Sequence, residues 1–285
     1  MIPNNNLSPL PFYTDLSKQN HRKDYAFGEI FCLATPDRKI LPFQIIRTHR
    51  TNAITSALLK NMSGVTILSI ITEMNATGLV VNQYTADGYD VIVYPGILPM
   101  AITTPEGQYY LQLSDGVETW YSDVFTIIRT LDNFLKIEYY DSESLAFQGG
   151  RVDFTNLFKF HIYLNTQLGR PEYPFEEQVE NRGGYTFAEI QTSEKTFKFN
   201  FVAPEYLLDA MRLIRMMDFV TVTNKADEYS VDTFLITPKW EAGGYLASVE
   251  AEFQCDTVIK KTGKGILGYT NGDYNDDFNN DFLNS

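Results

Sequence analysis

Residues 203–217 read APEYLLDAMRLIRMM, a stretch of helical period in a chain whose other apolar runs have the period of strands. Pro204 fits the first helical position, where its missing N–H costs nothing, and Glu205 falls in the first turn, where the positive end of the helix dipole favours it. Tyr206, Leu207, Ala210, Met211, Leu213, Ile214 and Met217 share one face, and Glu205, Asp209, Arg212 and Arg215 the other. This spacing predicts a helix over 204–217 with its apolar face on a sheet. The period then drops to two: Phe219, Thr221 and Thr223 alternate with Val220 and Val222. A polar turn over 224–228 and two long strand candidates, 229–237 and 245–257, complete the module. One helix on a sheet is a scaffold, and nothing in it forms a reaction centre.

Upstream, the runs GEIFCLA, LPFQIIR, VTILSII, GLVVNQY and YDVIVYP are short and apolar or alternating, with turn residues between them. In YYLQLSDGVETWYSDVF, Asp115-Gly116 is a favoured two-residue hairpin turn. These strands predict a β-sandwich over 24–129. Residues 130–262 are expected to form a β-barrel-like domain that adds NFLKIEYY, FKFHIYLNT and KTFKFNFVA to the helix module. The predicted fold class is therefore mainly β, with an N-terminal β-sandwich and a β-barrel or sandwich domain carrying one packed α-helix. Residues 1–23, rich in Pro and Asn, read as an extended arm. Residues 263–285 read as an acidic low-complexity tail. The stretch 168–187, LGRPEYPFEEQVENRGGYTF, reads as a long loop of the kind that contacts a partner.

Composition narrows the function classes. A chain of 285 residues with 44% hydrophobic and 21% charged residues is globular and can bury a large core. Its 20 Phe and 18 Tyr favour pleated, half-buried surfaces. A net charge of −13 argues against direct nucleic-acid binding, which calls for a basic patch. No run reaches the roughly 18 apolar residues of a membrane-spanning helix, and the N-terminus lacks the pattern of a secretory signal. Synthesis in a cytoplasm is the expectation. Cys32 and Cys255 sit in apolar runs and read as small buried hydrophobes.

Chemistry-bearing patterns are sparse. His21, His49 and His161 have no metal-ligand spacing, and neither a nucleophile elbow nor a phosphate loop is present. An EF-hand loop begun at Asp273 fails at Phe278, where Gly is needed, and at Asn284, where Glu is needed. Glu138, Asp141 and Glu143, or Glu176 and Glu177, could supply paired carboxylates, but as solvated acids they carry no reaction. Arg47, His49 and Arg50 form a short basic run. Trp120, Tyr121, Tyr139, Tyr140 and Trp240 could build a sugar-stacking platform, though rings at strand positions usually pack across strands. The expectation is a protein with no catalytic residues, no metal and no cofactor.

The segments TFKFNFVAPEYLLDAMRLIRMMDFVTVT, EYSVDTFLITPKW and YLASVEAEFQCDTVIKK, with the stretch 168–187 before them, resemble structural proteins of phages and prophages of gut Bacteroidota. Their order, ending at Phe253 to Asp256, is similar to the barrel of phage distal tail proteins, over about residues 130–261. Distal tail proteins place this barrel first, whereas here a sandwich precedes it. The resemblance implies a virion subunit forming a six- or twelve-fold ring with itself, in the tail (distal-tail or baseplate-like) or the neck or collar. Other tail or neck proteins would be its partners. Candidate assembly contacts are Tyr269, Tyr274, Asp276, Asp277, Phe278 and Phe282 in the tail, with Glu176 and Glu177 in the long loop. The alternative is a carbohydrate-binding host-recognition module.

Overall fold

The computed structural model describes residues 7–19, 31–96, 104–147, 150–154, 158–182, 185–241 and 244–261. The first half carries strands β1 (Phe12–Tyr13), β2 (Leu33–Pro36), β3 (Phe43–Thr48), β4 (Ser56–Asn61) and β5 (Thr66–Ser69), helix α1 (Ile71–Ala76), then β6 (Val80–Tyr84), β7 (Tyr89–Tyr94), β8 (Gly107–Ser114), β9 (Thr119–Ser122) and β10 (Phe125–Ile128). The second half adds β11 (Leu135–Tyr140), β12 (Leu145–Phe147), β13 (Gly150–Val152), β14 (Phe160–Leu164), β15 (Phe175–Arg182) and β16 (Tyr185–Pro204). Helix α2 (Glu205–Met211), β17 (Phe219–Asn224), β18 (Asp227–Ser230), β19 (Thr233–Trp240) and β20 (Leu246–Lys261) complete it. The chain is mainly β, with sandwich and half-barrel character, as the patterning predicts. No helix among the described residues is long and apolar enough to cross a membrane.

By contact density the chain divides into two units: Met1–Glu172 with Thr196–Asp256, and Tyr173–Lys195 with Thr257–Ser285. In the first unit, a seven-stranded sheet runs β1-β9-β8-β10-β2, with β4 added to β8 and β5 to β4. A three-stranded sheet β3-β7-β6 and a four-stranded sheet β14-β11-β17-β18 lie in the same unit. All these pairs are antiparallel except β2 with β10. The expected boundary at 129/130 falls inside this unit, where buried residues from Leu10 to Cys255 belong to one hydrophobic cluster. The N-terminal arm, where described, is part of it: β1 pairs with β9, and Leu10 and Phe12 are buried. The Phe12 ring meets Phe43 at 4.6 Å. Apolar residues beside the prolines of the arm supply the burial that pins it.

Three local expectations need correction. The helix is shorter than 204–217: α2 ends at Met211 and a 3-10 turn, Ile214–Met216, follows. Its bonds tighten from Arg212 N to Leu208 O to Leu213 N to Ala210 O, three residues apart. At that spacing Met211, Ile214 and Met217 stack on one side, and all three are buried. The strand expected over 229–237 is two strands in different sheets: Val231 N donates to Val220 O, and Asp232 N to Gln254 O. Asp115-Gly116 is half of a four-residue loop rather than the whole turn, because Ser114 pairs with Thr119. The Asp115 side chain accepts from the Val117 and Glu118 amides, closing the loop on itself.

The facial assignment within the helical segment is directly testable. Leu213 is 9% exposed, whereas the Arg212 side chain is 67% exposed and reaches Asp209 only at 3.9 Å. Leu213→Ala should cost about 2–4 kcal/mol and Arg212→Ala under about 0.5 kcal/mol. Urea midpoints decide: equal losses from the two variants contradict the assignment.

Candidate functional site

Strands β16 and β20 are far longer than typical strands, and their side chains explain why. Along β16, Phe197, Phe199, Phe201 and Ala203 are buried while Lys198, Asn200 and Val202 are exposed, the alternation of a sheet over a core. Along β20, Ala247, Val249, Ala251, Phe253 and Cys255 are buried in the same rhythm. On both strands the rhythm stops where the second unit begins. Residues 191–195 of β16 are half-buried without alternation, and residues 256–261 of β20 are all exposed. Asp256, where the alternation along β20 ends, has φ of 54°, a left-handed conformation that Asp tolerates better than most residues.

The stretch read as a long partner-facing loop is a strand. Residues 175–182 pair antiparallel with 185–193 of β16, with a bulge at Gln178/Val179. Every described side chain from Glu172 to Val179 is exposed, so neither face of β15 is covered over residues 175–179. Tyr173, Phe175, Val179, Val258 and Ile259 are each more than half exposed, and all belong to the second unit. Glu176 and Glu177 stand on β15; Glu177 accepts from Gln191 Nε2 at 2.8 Å. The tail candidates Tyr269, Tyr274, Asp276, Asp277, Phe278 and Phe282 lie outside the described residues.

Within the first unit, the basic run turns inward instead of offering itself to phosphate. Arg47 is directly opposite Asp90 across β3 and β7, and both side chains are fully buried. Arg47 Nε lies 3.2 Å from Asp90 Oδ2 and Nη1 lies 2.7 Å from Asp115 Oδ2. Its Nη2 donates to the Arg50 and Asn52 carbonyls at 3.1 and 2.6 Å. His49 Nδ1 sits 2.6 Å from the other Asp90 oxygen. Arg50 Nε is 3.2 Å from Asp115 without hydrogen-bond geometry, and Arg50 Nη2 pairs with Glu118. Burial would raise the carboxyl groups of Asp90 and Asp115. Bonds from His49, the Arg50 amide and Arg47 outweigh it at Asp90, and the Glu118 and Val117 amides with the two arginines at Asp115, so both stay below the usual carboxylate value. Sequence reasoning missed this network. Its signal was opposite charges in two otherwise apolar strands, Arg47 in LPFQIIR and Asp90 in YDVIVYP.

The other candidates are dispersed. Glu138 is held by Lys136 at 2.7 Å and Lys159 at 3.0 Å, which outweigh burial and keep it ionised, whereas Asp141 is half-buried and Glu143 exposed in the bend after β11. The five aromatics make no platform. Trp120 and Tyr139 are buried, Tyr140 stacks on Phe219 at 4.7 Å, and β9, β11 and β19 belong to three different sheets. Cys255 is buried and Cys32 half-buried, and both are free thiols. Among the described residues no three His, Cys, Asp or Glu side chains gather as a metal ion would need. No protein-family model matches the chain, and no curated protein is significantly similar to it.

Proposed function

We propose that the chain is a structural subunit of a phage virion that assembles into a ring, in the tail (distal-tail or baseplate-like) or in the neck or collar. The observation that supports this reading is that, in the second unit, the apolar side chains of β15 and of the end of β20 are more than half exposed, Phe175, Val179, Val258 and Ile259 among them. A hairpin whose outer strand is covered on neither face is marginal by itself. Large exposed apolar surface of this kind is typical of protein–protein contacts. A neighbouring copy would bury Phe175, Val179, Val258 and Ile259, and repetition of one such contact closes a ring when the rotation between copies allows it. The sequence resemblance to ring-forming phage proteins points the same way, with other tail or neck proteins as the further partners.

The test is the sedimentation and negative-stain imaging of the full chain beside a Phe175→Glu/Val258→Glu variant. The wild-type protein should form a closed oligomer of fixed size. The variant should stay monomeric with its thermal midpoint within about 2 °C, because neither residue is in the core. A wild-type chain that is monomeric at every concentration and missing from purified virions ends this reading.

A further inference from the structure

A cleft of about 290 Å³ opens in the first unit between the N-terminal segment, the end of β3 and the start of β9. That is near the lower end of ligand pockets, about 300 Å³, and suits a ligand of one or two small rings. Its apolar lining is Phe12, Ile46 and Trp120, each 6% exposed or less, so the walls are fixed by core packing. Arg47 lines it too, but four of its five N–H donors are committed to Asp90, Asp115 and two backbone carbonyls. The other polar groups on its lining are the Tyr13 phenol, the Thr14 and Thr48 hydroxyls, Lys18 and the second oxygen of Glu118. Lys18 makes no ion pair among the described residues, and only one Glu118 oxygen is taken by Arg50.

We infer that this cleft is a binding site for a neutral saccharide unit. Three classes of ligand fit worse. A phosphate or other multiply charged anion would meet a guanidinium neutralised by two buried carboxylates, with Glu118 beside it. A hydrocarbon would strip water from Lys18 and Glu118 without replacing their hydrogen bonds. An α-amino acid could pair with both charges, but it would leave the two threonine hydroxyls without matching groups. A sugar ring offers hydroxyls that both donate and accept, which suits an ammonium, a carboxylate and two hydroxyls together. Its C–H faces suit the apolar floor of Phe12, Ile46 and Trp120. The ion network of Arg47, Asp90 and Asp115 stiffens the walls, so less ordering is needed on binding. No residue of the exposed hairpin takes part, so this site stands whether or not the chain forms a ring.

The test is calorimetric titration of the full chain with methyl glycosides of glucose, galactose, mannose and N-acetylglucosamine, beside alanine and inorganic phosphate as probes of the rival classes. At least one glycoside should saturate with a Kd of about 1 mM or tighter. Thr48→Trp, which fills the cleft from an exposed strand position, should weaken that binding about tenfold or more, and Lys18→Ala should weaken it severalfold. The thermal midpoints of both variants should stay within about 2 °C of wild type. The assignment falls if no glycoside binds at about 20 mM, if alanine or phosphate binds more tightly than every glycoside, or if Thr48→Trp binds like wild type.

Discussion

Replacing Arg47 by methionine should lower the unfolding free energy by about 3–5 kcal/mol, the largest single loss among side chains away from the apolar core. The side chain is nearly isosteric along its stem, so packing changes little. What remains is two fully buried carboxylates that lose the guanidinium both face, Asp90 keeping only His49 and the Arg50 amide and Asp115 only Arg50 and its loop amides. The Arg50 and Asn52 carbonyls lose their donor as well. Removing one partner of a buried charge costs far more than the pair contributes when intact, because desolvation of the survivor is no longer fully compensated. Asp115 cannot escape by taking up a proton cheaply, since the Val117 and Glu118 amides are oriented for the ionised form. The loss should also persist at high salt, unlike that of a surface pair. Urea unfolding at neutral pH measures it. Adding Asp90→Asn to Arg47→Met should recover part of the loss, because it removes one stranded charge. A cost under about 1 kcal/mol, or no recovery in the double variant, contradicts the network as described.

What the sequence conveyed about this fold follows from which interactions are periodic. The runs LPFQIIR, GLVVNQY and YDVIVYP became β3, β6 and β7 because alternation reports a strand regardless of its neighbours. The buried face of the helical segment, from Leu207 through Met217, was legible for the same reason. The point where the α-helix tightens was not, since it depends on what Met211, Ile214 and Met217 pack against. Asp115 reads as a turn former in any sequence, yet its carboxylate also serves a strand 68 residues away, a partner no local window contains. The exposed strand β15 reads as a loop in sequence because its side chains alternate nothing: Phe175, Glu176, Glu177, Gln178 and Val179 are all exposed. A strand that buries neither face has no periodic signature, and its pairing with β16 is carried by backbone groups that are the same in every sequence. The cleft at Trp120 and Lys18 was beyond reach for a related reason. It is built by residues from three separated segments, brought together only when β1 pairs with β9.

Acidifying the protein from pH 6.5 to 5 should cost about 2 kcal/mol of stability, nearly all of it through one side chain, His161. His161 lies on β14 opposite Glu138 of β11, it is buried, and its Nε2 has no hydrogen-bond partner. Burial, with the positive charges of Lys136 and Lys39 and against the attraction of Glu138, pushes its pKa down to about 3. The unfolded chain takes up a proton at this residue near pH 6.5, whereas the native chain refuses it until about pH 3. Between those values the unfolded state binds the extra proton, so stability is full above about pH 6.5 and falls steadily as the pH drops. The carboxylates act in a different window. Asp90, Asp115 and Glu138 are held below their usual values, so their contribution is complete above about pH 4.5 and is lost only below it. The slope between pH 6.5 and 5 therefore belongs to a buried imidazole and not to acid loss of ion pairs. His161→Phe keeps a ring against Tyr163, whose centroid lies 5.6 Å from the imidazole, and removes the titrating group. This variant should match or exceed wild type at pH 7 and lose almost nothing at pH 5. Urea midpoints of the two proteins at both pH values give the answer. A wild-type midpoint that does not move between them, or a variant that keeps the wild-type slope, would show that the imidazole is protonated or solvated in the native state.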